Sequence, residues 1–94
     1  MTVNVVVTFT CSQSEAKAKV VTNIDSVKGL TIEPTWTSDF SANLSVSYSG
    51  FATSGSIRID PDMVVVAVQI PRIARRWAPT VEKTIREELG KILA

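Results

Sequence analysis

The chain predicts an α+β fold: a two-layer sandwich of a five-stranded, mostly antiparallel sheet with two helices on one face, in the order β-α-β-β-β-β-α. Three observations carry this. Apolar residues alternate at period two in five short segments. They recur at helical spacing in two others, near the start and at the end of the chain. The connections between the four consecutive strands are short and rich in turn formers, which favours a meander of antiparallel neighbours.

The first strand is read in "TVNVVVTF", residues 2–9. Val3, Val5, Val7 and Phe9 share one face, and Thr2, Asn4 and Thr8 lie on the other. Ser12 followed three residues later by Glu15 is a capping-box pattern. The serine hydroxyl accepts from the Glu15 amide, while the Glu15 carboxylate reaches back to the Ser12 amide. Ala16, Val20, Ile24 and Val27 then line one face, and Gly29 is a natural C-terminal cap, so residues 13–28 are expected to be helical.

"LTIEPTW" alternates again, and Pro34 places this strand at an edge or bulge because proline cannot donate to a ladder. After the turn "TSDFS", the stretch "ANLSVSYS" sets Ala42, Leu44, Val46 and Tyr48 against Asn43, Ser45, Ser47 and Ser49. Gly50 to Gly55 is expected to carry a turn or a bulged approach to the next strand, "SIRID". The "DPD" turn at 60–62 leads to "MVVVAVQI", whose two faces are both apolar, so this strand is expected to be covered on both sides.

Residues 72–93, taken as one helix, place Ile73, Trp77, Val81, Ile85, Leu89 and Ile92 within an arc of about 160°, wide enough to pack on a sheet. Arg72, Arg75, Arg76, Lys83 and Arg86 fall on roughly the opposite arc. Pro79 either kinks this helix or starts a second one, where its missing donor costs nothing.

Composition bounds the function. Ninety-four residues make one domain, 1–94, with a single thin core. The charge of +1 demands neither nucleic acid nor membrane, and the longest apolar run, "MVVVAV", is far too short to span a bilayer. The start of the chain lacks the basic region and cleavage site of a signal peptide, and one cysteine allows no intrachain disulfide. The expected location is the cytoplasm.

The absence of histidine removes the commonest general base and metal ligand, and Cys11 therefore has no histidine to activate it. Asp60 and Asp62 flank Pro61 without further ligands at a usable spacing, which is the chemistry of a turn. Neither an enzyme nor a cofactor is expected.

Two surfaces remain as candidates. From residue 72 onward there are six basic and three acidic residues, a net +3, against four basic and six acidic, a net −2, in the rest. Arg72, Arg75, Arg76, Lys83 and Arg86 are therefore the candidate contact with an anionic surface or partner. Residues 40–57 contain no charge at all. Asn43, Ser45, Ser47 and Ser49 are the candidate self-association edge, since the lysines that usually guard an edge are missing.

The second half of the chain resembles a family, the polyhydroxyalkanoic acid system proteins found near genes for bacterial polyester storage granules. Trp36 precedes a turn, a strand ends at Gly50, and a strand opens near Gly55. Asp60 and Asp62 form an acidic turn, residues 64–70 a valine-rich strand, and "PTVEKTIREELGKIL" an amphipathic helix. The stretches "TSDFSANL" and "GFATSGS" read as longer connections than the family's tight hairpins. The resemblance implies a non-enzymatic, cytosolic accessory role at the granule surface or on a protein partner, with no catalytic residue to carry over. The alternative is a small self-associating assembly subunit of mobile-element or viral origin.

Overall fold

The computed structural model describes residues 2–24, 31–48 and 50–93, with Tyr48 described by its backbone alone. The elements are β1 (Thr2–Thr8), α1 (Gln13–Asn23), β2 (Thr31–Ser38), β3 (Ser41–Tyr48), β4 (Phe51–Ile59), β5 (Met63–Gln69), a 3-10 turn (Arg72–Trp77) and α2 (Ala78–Leu93). The five strands form one antiparallel sheet in the order β1-β5-β4-β3-β2. The predicted architecture and element order hold.

The register explains the core. Val3, Val5 and Val7 stand opposite Val68, Val66 and Val64, and Ile57 and Ile59 stand opposite Val66 and Val64 on the other side of β5. Odd-numbered residues of β1 and even-numbered residues of β5 therefore share one face. Ala42, Leu44 and Val46 of β3 and Ile32 of β2 continue it, and all are buried.

Both helices cover this face. Ala16, Val20 and Ile24 of α1 and Val81, Ile85, Leu89 and Leu93 of α2 are buried against it. α1 starts where the sequence places it: the Ser12 hydroxyl accepts from the Glu15 amide at 3.2 Å, satisfying one of the free donors of the first turn. Among the described residues the return bond from the Glu15 carboxylate does not form. Gln13 Nε2 donates to the Ile59 carbonyl at 2.7 Å and ties the helix start to the end of β4. The Val27 and Gly29 readings lie outside the described residues.

Several expectations are corrected. The turn expected over Gly50 to Gly55 is confined to its start: β3 and β4 meet in a tight hairpin, with Tyr48 opposite Phe51, and residues 51–59 are all strand. Gly50 makes this turn possible by adopting φ +85°, a conformation costly for residues with a side chain. Thr53 and Gly55 lie on the core face of β4 and dilute its hydrophobic alternation. Gly55 is also where a Cβ would collide with the Ala67 carbonyl oxygen across the ladder.

β5 is covered on one side only. Its other face, with Met63, Val65 and Ala67, is half-buried among neighbours of the same open sheet face. β3 is not an edge either, because it is hydrogen-bonded between β2 and β4. The edges are β1 and β2. As expected from Pro34, β2 is the outer strand, and its register shifts between Trp36 and Ser38.

The C-terminal segment is two elements. The 3-10 turn ends at Trp77, and Pro79 sits in the first turn of α2, where its missing N–H is not needed. The change of helix type changes the phase. A 3-10 turn has about three residues per turn, so Ala74 and Trp77 fall on one face. Ala74 is buried and Trp77 packs on Phe51 with ring centroids 4.9 Å apart. Ile73, expected in the apolar arc, is instead 74 % exposed.

Candidate functional site

The structure divides the five basic candidates into two groups. Lys83 and Arg86 sit on the solvent side of α2 and are paired within the helix. Arg86 reaches Glu82 at 3.0 Å, and Lys83 stands 4.0 Å from Glu87. Both are acid–base pairs at i, i+4 on an exposed surface, worth a few tenths of a kcal/mol. They are a solvated, self-neutralised face.

Arg72, Arg75 and Arg76 differ. They crowd into the six residues of the 3-10 turn, all exposed, and none forms a salt bridge with an acid among the described residues. The Arg76 guanidinium lies 4.7 Å from the centre of the Trp77 ring, a cation–π contact that orients it along the surface. Arg72, Arg75 and Arg76, with Pro79, line an open depression. Ile73 is exposed on the same turn and is not among the residues that line this depression. The turn thus presents one bare apolar side chain and three cations without an acidic partner among the described residues.

The turn is tied to the sheet and to the chain before it. Pro71 precedes it with φ −59°, the Ala74 amide donates to the Pro71 carbonyl at 2.9 Å, and Ala74 is buried beneath it. Phe51 and Trp77 brace it from the β3–β4 hairpin side. Sequence reasoning grouped these arginines with those of the following helix and buried Ile73. The prolines at 71 and 79 were the available signal, since they bound a segment too short for a stable α-helix.

The proposed self-association residues occupy the open face of the sheet. Asn43, Ser45 and Ser47 are exposed there, and Ser49 lies outside the described residues. Their register partners on β4 are Ser56, Ser54 and Ala52, so the middle of this face is small and neutral. Arg58, with Nε 2.9 Å from one Asp60 oxygen and Nη2 3.2 Å from the other, closes it near the β4–β5 turn. Asp60 is thus engaged by a cation of the chain itself. Among the described residues no cluster of three potential metal ligands forms. Cys11 is half-buried and packs against the core.

The space between the layers is tight. A cavity of about 20 Å³, lined by residues including Ile24, Leu44, Val68 and Leu89, has room for about one water molecule, too little for an apolar ligand. Among the described residues no helix is long and apolar enough to cross a membrane. No family model matches the chain, and no curated protein matches it.

Proposed function

We propose that this protein is a non-enzymatic accessory factor that binds the surface of a polyester storage granule in the bacterial cytoplasm, and that it docks through the turn Arg72–Trp77. The observation that carries the reading is Ile73, 74 % exposed on the same six-residue turn as three arginines that have no acidic partner among the described residues. An apolar side chain beside cations suits a boundary between an apolar phase and water. The isoleucine enters the apolar side, while the guanidinium groups stay at the boundary and donate to its acceptors. Polyester ester carbonyls and any anionic coat on a granule are such acceptors. The resemblance to the polyhydroxyalkanoic acid system proteins supplies the surface in question.

The test is co-sedimentation with purified polyhydroxyalkanoate granules. Changing Arg72, Arg75 and Arg76 together to glutamine should shift the protein from pellet to supernatant, and raising salt should weaken the wild type more than the variant. Equal pelleting of both proteins removes the reading. Changing Lys83 and Arg86 to glutamine should have little effect, because those cations are already paired within α2.

A second reading, a self-associating assembly subunit, draws on the neutral open face of the sheet and on its uncharged edge strand β1.

A further inference from the structure

The two edges of the sheet are built differently. β2 carries three devices that discourage pairing: Pro34, Glu33 and the register shift after Trp36. β1 carries none. Its seven residues, TVNVVVT, include no charge, no proline and no glycine, four are β-branched valines, and β5 is its one strand neighbour among the described residues. Val6 on its open face is 50 % exposed. A regular, uncharged, valine-rich edge is a template for another strand.

We propose that β1 pairs with β1 of a second copy, antiparallel about a two-fold axis through Val5, joining two five-stranded sheets into one of ten strands. The strand's own sequence selects this occupant. Rotation about Val5 sets Val3 opposite Val7 and Asn4 opposite Val6 of the second copy. Core-facing residues then meet core-facing residues, and open-face residues meet open-face residues, as a period of two requires. No like charges oppose one another, because the strand has none. α2 packs over β1, so the two helical layers meet above the seam.

The flank of α2 turned away from Trp77 and Ile92 bears Glu82 and Arg86, one charge of each sign, so this seam is not repulsive. Seven residues at about 3.4 Å make a seam about 24 Å long. With a layer thickness near the molecule's smallest extent of 21 Å, each copy contributes about 500 Å². The total of about 1,000 Å² is at the lower limit for a specific interface, the size class of weak, reversible association. This inference is independent of the granule reading.

Sedimentation equilibrium between about 1 and 100 µM tests it. The wild type should shift from monomer toward dimer across that range. Asn4→Lys with Val6→Lys sets lysine against lysine twice across the seam and should give a monomer at all concentrations. Asn4→Glu with Val6→Lys sets opposite charges there and should keep or tighten the dimer. Both pairs of substitutions point to solvent on the open face, and far-ultraviolet circular dichroism checks that each variant is folded. Ser45→Lys, in the middle of the open face, should leave the dimer intact. A wild type that stays monomeric, a dimer indifferent to the double-lysine change, or one abolished by Ser45→Lys would each overturn the proposal.

Discussion

Replacing Ile73 with alanine separates the binding role of the 3-10 turn from its folding role. The change deletes three carbons, worth about 0.8 kcal/mol each when fully buried, or about 2.4 kcal/mol in all. In the free protein Ile73 is 74 % exposed, so only about a quarter of this is gained on folding. The stability cost is therefore no more than about 0.6 kcal/mol, a melting shift of a few degrees for a domain of this size. The other three quarters, about 1.8 kcal/mol, becomes available only when the tip enters an apolar phase, and its loss corresponds to roughly 20-fold weaker binding.

Ile85 provides the contrast. It is 3 % exposed on the sheet-facing side of α2, and its replacement by alanine should remove about 2–5 kcal/mol of stability through transfer and cavity terms. The assay is granule co-sedimentation over a range of protein concentration, with thermal unfolding followed by circular dichroism on the same preparations. Binding by Ile73→Ala within two-fold of wild type would refute the docking role of the turn. So would a stability loss matching that of Ile85→Ala, since that would mean Ile73 is a core residue.

Gly55→Ala should cost about 3 kcal/mol, because the new methyl meets the Ala67 backbone oxygen, which the ladder holds in place; chemical denaturation reads it as a lowered midpoint. Gly90→Ala should act in the opposite sense and stabilise by about 0.5–1 kcal/mol, since the position is helical and exposed and nothing lies near an added Cβ. Ser12→Ala should lose about 1 kcal/mol with the cap of α1, and Ser12→Asp should restore most of it; equal melting temperatures for all three proteins would deny the cap its role.

Local pattern was enough to specify the element types and the meander. Alternation and capping are local properties, and the register of β1, β3 and β5 follows once one face must be buried. Pro34 marked an edge strand because a missing donor is legible without coordinates. What only the tertiary structure decided was which surfaces remain bare. Only the second half of β4 was legible, as "SIRID"; its first half was hidden because Thr53 and Gly55 occupy core positions whose size is dictated by the neighbouring strands. β3 lies inside the sheet, rather than at its edge, because β2 and β4 pair with it on either side, as a meander requires. Ile73 was assigned to the core because a helical period of 3.6 was carried through a segment that winds more tightly, and a shift of helix type turns a residue from the sheet to the solvent. Burial is a property of the assembled layers, so the bare isoleucine and the unguarded β1 edge become visible only once the layers are in place.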